Sequence, residues 1–177
     1  MGLYTQRKES IEVRGPERND FIKLPKSIHL DVSVYRIPGY VYHFTIRADF
    51  GKFYFTHHNF NTEIIECLKK EKHRKNCNVY VYCLMPDHLH VLTGTTSDRV
   101  SVLDFVNQFK GKTTRIGWKY GIDGVLWQKR YYDHVVRKSE DLIKIASYIL
   151  DNPVRTEMVE KREDYLYSGI WDDLPVW

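Results

Sequence analysis

Residues Asn78 to Thr93 read NVYVYCLMPDHLHVLT. Two runs rich in β-branched, aromatic and aliphatic residues flank the turn Met85-Pro86-Asp87, the pattern of two strands joined tightly. Strands connected by so short a turn must be antiparallel, which excludes a doubly wound parallel sheet. In the second run His88 and His90 leave the same face of the strand, while Leu89 between them points to the other face and into a core.

Outward from this hairpin the chain alternates strand and helix. Upstream, Tyr40–Arg47 (YVYHFTIR) is a strand, and Asn61 or Thr62 is placed to cap a helix running to about Arg74 with Ile64, Ile65 and Leu68 inside. Downstream, Val102, Leu103, Val106 and Phe109 recur at helical spacing between Val100 and about Lys119. Gly111 within that segment costs about 1 kcal/mol relative to alanine, so a bend or break is expected there. A loop framed by Gly121 and Gly124 leads to a strand clearest at Tyr131–Val136. Ser139 is then positioned to cap a helix with Glu140 and Asp141 in its first turn, ending at Asn152 because Pro153 disfavours α geometry in the residue before it. A short helix over 154–162 and an aromatic tail with Trp171 and Trp177 follow. The economical arrangement is α+β: a ferredoxin-like antiparallel sheet with helices packed on one face. Residues 1–39 read as an N-terminal extension and 40–177 as the main domain with its tail.

The 177 residues are 42% hydrophobic, 28% charged and 14% aromatic, which describes one folded domain and excludes wholesale disorder. No run approaches the ~18 apolar residues of a membrane span, and the N-terminus has no signal-peptide core, so no membrane association and a cytoplasmic location are expected. Cys67, Cys77 and Cys83 show no CxxC spacing and read as reduced, mostly buried thiols rather than a disulfide or zinc framework. The net charge of +4 is unevenly spread: Asn107–Lys138 holds eight Lys and Arg against two Asp, leaving the remainder of the chain acidic. Aromatic residues interleave this basic window, a composition suited to a phosphate backbone with stackable bases, or to a solvated face over a core. The candidates for phosphate contact are Lys110, Lys112, Arg130 and Arg137, and those for base stacking Trp127 and Tyr131.

Two constellations carry chemistry. His88 and His90 can meet one divalent ion, although a His-x-His pair alone also fits two satisfied core histidines. Tyr148 and Asn152 stand four residues apart on one helical face, where Asn152 offers an amide oxygen suited to a hard cation. Asp133-His134 reads as structural or as support for a metal site, and His43 as a neighbour of the pair rather than a ligand.

Taken together, MPDHLHVL (Met85–Leu92), LWQKRYYDHVVR (Leu126–Arg137) and YILDNPVR (Tyr148–Arg155) resemble the single-tyrosine HUH transposases, and within them the REP-associated tyrosine transposases of the IS200-like family. The resemblance spans roughly Tyr40 to Asp173. It implies that His88, His90 and Asn152 hold Mg²⁺ or Mn²⁺, that Tyr148 is the nucleophile, and that the partner is single-stranded DNA near hairpins. A phenol of ordinary pKa about 10 needs such help to attack at neutral pH. The implied reaction is metal-dependent endonuclease and strand-transferase chemistry through a 5′-phosphotyrosine. Two alternatives stay open: a catalytically silent hairpin-binding protein of the same fold, and a water-using nuclease that would need Asp87 or Asp133 as base. Monomer and homodimer are both compatible with the sequence.

Overall fold

The computed structural model describes residues 10–14, 21–25, 31–137 and 141–176. The short strands β1 (Ser10–Arg14) and β2 (Phe21–Pro25) pair as a separate antiparallel ribbon. The main elements are β3 (Val41–Arg47), α1 (His58–Lys75), β4 (Asn78–Met85), β5 (His88–Gly94), α2 (Val102–Lys119), β6 (Tyr132–Val136), α3 (Leu142–Leu150), α4 (Asn152–Arg155) and β7 (Ser168–Ile170). The five-stranded sheet has the order β6-β3-β5-β4-β7, and every neighbouring pair is antiparallel. The ferredoxin-like α+β arrangement expected from the sequence is therefore present, with β7 added at one edge.

Strand alternation divides the sheet into two apolar layers. Tyr42, Phe44, Ile46, Leu84, Leu89 and Val91 face α1 and α2, where they meet Phe60, Ile64, Leu68, Phe105 and Phe109. Val41, Val81, Leu92 and Val136 face the opposite way. That second apolar surface also needs cover, and α3 supplies it with Leu142, Ala146 and Ile149, spaced four and three residues apart on one helical face. The helices thus occupy both faces rather than one. The turn Val32–Arg36, upstream of residue 40, buries Val34 and Tyr35 in the α1/α2 layer. All three cysteines are free and buried, as expected.

Helix ends depart from the sequence expectations for tertiary reasons. α1 begins at His58, before Asn61, because Asn61 is buried and its amide donates to the Phe55 carbonyl at 3.1 Å. α2 runs unbroken through Gly111. Asp141, not Ser139, caps α3 by accepting from the Lys144 N–H; Lys138, Ser139, Glu140 and Trp177 lie outside the described residues. α3 ends at Leu150, and Pro153 opens the short α4 instead of following a helix that reaches Asn152. No helix spans 154–162; the chain there turns and meets a 3-10 turn at Arg162–Asp164. Among the described residues no helix is long and apolar enough to cross a membrane.

Two glycines should respond in opposite senses. A Cβ on Gly94 would lie 2.6 Å from the Tyr40 carbonyl oxygen, whereas one on Gly111 meets nothing within 4 Å. Gly94→Ala is expected to lose about 1–3 kcal/mol and Gly111→Ala to gain about 0.5–1 kcal/mol, both read from urea unfolding curves.

Candidate active site

α3 covers only part of its face of the sheet. Cross-strand register sets out what remains. Arg47 stands opposite His88, and His88 opposite Met85; in the next row Tyr132, Thr45, His90 and Cys83 follow one another from β6 to β4. In the row beyond, His134 pairs with His43 and His43 with Leu92. Met85, Cys83 and Leu92 lie under the α3 layer, which leaves four histidines with Arg47, Thr45 and Tyr132 at one corner of the same face.

Within this corner the two predicted ligands converge. His88 Nε2 and His90 Nε2 are 3.1 Å apart. His88 Nδ1 donates to the Asp87 carboxylate at 2.6 Å, which fixes the tautomer and leaves Nε2 as a lone pair. On the other side, His90 Nδ1 lies 3.1 Å from Thr45 Oγ1 and 3.1 Å from His43 Nε2. A proton held at His90 Nδ1 leaves its Nε2 lone pair 3.1 Å from His88 Nε2, with the two rings perpendicular. Two imidazole nitrogens each about 2.1 Å from one ion and at right angles stand about 3 Å apart, so the pair fits a divalent cation. Burial, with His88, His43 and Arg47 nearby, draws the His90 imidazole down to about 3, and burial beside His134 draws His43 down to about 4. Both rings are therefore neutral near pH 7, the form that binds metals. No group of three His, Cys, Asp or Glu side chains forms a metal cluster among the described residues.

The predicted third ligand, Asn152, opens α4. Its Nδ2 donates to the Tyr148 carbonyl at 2.9 Å and the Ile149 carbonyl at 3.2 Å, which turns the oxygen away from the helix. Tyr148 is 46% exposed, and the Arg155 guanidinium covers its ring at 4.4 Å. The bonds of Tyr148 and Asn152 are to their own helical segment, while those of His88 and His90 are to the sheet and its turn. Arg155 is a contributor that spacing could have flagged, since it lies seven residues, or two turns, after Tyr148.

The predicted DNA contacts do not gather around the histidines. Trp127 is 3% exposed, stacks on Phe55 and donates to Thr113 Oγ1 at 2.7 Å, so its ring belongs to the core and is closed to base stacking. Tyr131 packs edge-on against Phe44 in the α1/α2 layer. Lys110 is half-buried there, donates to the carbonyls of Gln128 (2.8 Å) and Lys129 (3.1 Å), and sits over the Tyr131 ring. Burial draws its ammonium down to about 8. Lys112 pairs with buried Glu71, which Arg74 also holds. Burial alone would raise the Glu71 carboxyl, but these two cations keep it below its ordinary value. Lys110 and Lys112 ride on α2, so the sheet separates them from His88 and His90. Arg130 is exposed and Arg137 half-buried, at the two ends of β6. The Asp133 carboxylate accepts from the Tyr35 hydroxyl, a structural role on the face opposite His134.

Residues 36–152 match the family model described as Transposase IS200 like. The chain belongs to the IS200-like transposase family. This transposase-family chain is 28% identical over 121 residues to a protein of Haemophilus influenzae strain Rd assigned as a REP-associated tyrosine transposase, covering 59% of this chain and 68% of the relative. A REP-associated tyrosine transposase solved bound to a REP hairpin shares the fold at a TM-score of 0.64 and 20% identity, covering 75% of this chain and 77% of that one.

The roles of the lysines can be separated by stability. Lys110→Met removes two charge-assisted hydrogen bonds and is expected to cost about 1–3 kcal/mol. Lys119→Met, which loses an exposed 3.8 Å pair with Glu63, should stay within about 0.5 kcal/mol, both variants being read by thermal unfolding.

Proposed function

We propose that this transposase-family protein cuts and rejoins single-stranded DNA next to hairpins, with Tyr148 as nucleophile and a divalent ion, Mg²⁺ or Mn²⁺, held by His88, His90 and Asn152. The observation that carries the reading is the 3.1 Å approach of two imidazole nitrogens whose other ring nitrogens are already bonded. A bound divalent ion there supplies Lewis-acid polarisation of the scissile phosphate and favours the phenolate.

The chain's own residues do the rest. Asp87 and Thr45 hold the two rings in one orientation, and burial keeps the His90 ring neutral with its lone pair available. The Arg155 guanidinium lies over the Tyr148 ring and places a positive charge beside the proposed nucleophile. Attack by the Tyr148 oxygen on phosphorus breaks the bond to O3′. The phenolic proton ends on the departing 3′-hydroxyl, and the 5′-phosphate remains on Tyr148. A second 3′-hydroxyl reverses the step, releasing the tyrosine and joining a new strand, so no nucleotide cofactor is required. The exposure of Tyr148 suits a nucleophile that must reach a phosphate arriving from solution.

Incubation of labelled hairpin DNA bearing a single-stranded extension with Mn²⁺, followed by denaturing gels and peptide mass spectrometry, tests the reaction. A DNA–protein adduct at Tyr148 is expected. Tyr148→Phe should lower it by about 10³-fold or more with DNA binding retained, and a chelator should abolish it. An adduct of undiminished yield in Tyr148→Phe removes the nucleophile assignment. Release of a 5′-phosphate with no attached protein would instead support hydrolysis by water.

Tests of the ligands need a metal readout. His90→Ala should weaken Mn²⁺ binding by calorimetry about 10-fold or more, in line with the loss of one of few protein ligands, and abolish adduct formation. Equal Mn²⁺ affinity in the variant would place the ion elsewhere.

A further inference from the structure

The stacking residues expected from the sequence, Trp127 and Tyr131, are both committed to the α1/α2 layer. One residue further along, the alternation of β6 reverses the outcome. Tyr132 shares its face with His134 and Val136, is paired with Thr45, and is 62% exposed. Thr45 is the residue whose hydroxyl meets His90 Nδ1. With strands spaced about 4.8 Å apart, Tyr132 stands about 10 Å from His90 across the sheet. Beside it on the same face, exposed Arg47 is the register partner of His88.

The local backbone is fixed. The Gln128 N–H donates to the Arg47 carbonyl at 2.9 Å and Ala48 bridges to Trp127, which ties the segment leading into Tyr132 to the segment carrying Arg47. Exposed Lys129 and Arg130 lie on that same segment. An uncovered aromatic ring, a cation in register with the proposed metal ligand, and further positive charge leading to the sheet edge have the chemistry of a nucleotide: a flat base and an anionic phosphate.

We propose that Tyr132 and Arg47 form a nucleotide platform on the open side of the histidine pair, Tyr132 stacking one unpaired base of the substrate strand and Arg47 holding the phosphate beside it. This rests on the reading of single-stranded DNA as substrate. The platform positions the strand and carries out no chemistry itself; it presents the scissile phosphate to the histidines by gripping its neighbour. Sequence is read weakly here, because every base has a face to stack.

The test is fluorescence anisotropy with a hairpin carrying a single-stranded extension, in which one abasic site is moved along the extension. Wild type should lose affinity about 10-fold at one position. Tyr132→Ala should show that loss on intact DNA and no further loss at that position, while Tyr132→Phe binds as wild type. Arg47→Ala should lower the slope of log K against log salt by about 0.7, the value for one phosphate contact on a single strand. The platform is overturned if no abasic position weakens wild type, or if Tyr132→Ala keeps the positional penalty. The abasic scan on wild type needs no variant, so a folding defect in Tyr132→Ala leaves the proposal open to refutation. Adduct formation is read separately: positional coupling without an adduct removes the transferase reading alone, and an adduct without coupling removes the platform alone.

Discussion

Leu89 and Val91 must be dry, and meeting that need turns His88 and His90 to the opposite face of the same strand. From this single constraint on β5 the remainder follows. α1 and α2 bury the odd-numbered side chains, Leu89 and Val91. α3 must then cover the apolar part of the even-numbered side, and the corner it leaves uncovered is where the histidines, Arg47 and Tyr132 stand. A slip of one residue in the pairing of β5 would send the histidines into the core and two large aliphatics to the surface. Correct folding and correct presentation of the histidine pair are the same event.

The parts of this arrangement that were legible in the sequence are those governed by short-range periodicity. The hairpin, the two long helices, the order of strands and the common face of His88 and His90 depend on spacings of two, three and four residues. The parts that were not legible depend on partners distant in the chain. Asn61 has the composition of a cap, but it falls inside the first turn of α1, where its buried amide donates back to the Phe55 carbonyl. Ser139 and Asp141 are both good caps, and only the position of α3 decides between them. Trp127 and Lys110 sit in a window whose composition is that of a nucleic-acid surface, yet one is core and the other braces the loop carbonyls of Gln128 and Lys129. Thr45 and Arg47 carried no motif; they matter through register with β5.

Charge distribution illustrates the same point. A window rich in Lys and Arg has a definite sign but no definite direction. Lys112 is drawn to Glu71, Lys110 to two carbonyls, and Lys129 and Arg130 face water, so the excess of positive charge is shared between structural bracing and open surface. Burial explains the division: a carboxylate as enclosed as Glu71 requires cations, and Arg74 on its own helix and Lys112 on α2 supply them. What remains exposed is divided between Arg115 and Lys119 on α2 and Lys129 and Arg130 just before β6, an edge strand of the sheet.

The other edge is closed by β7, whose partner residues in β4 lie roughly ninety positions upstream. Three residues of ladder are little compensation for closing so long a loop, and the strand is retained because Tyr165 reaches the Leu84 carbonyl and Trp171 lies against Tyr82. The aromatic tail is thus a clasp on the sheet. A ladder this short is the kind that opens locally ahead of the central strands. Its departure would bare the main-chain groups of β4, the strand that flanks β5, and so convert a closed sheet edge into one able to recruit another chain.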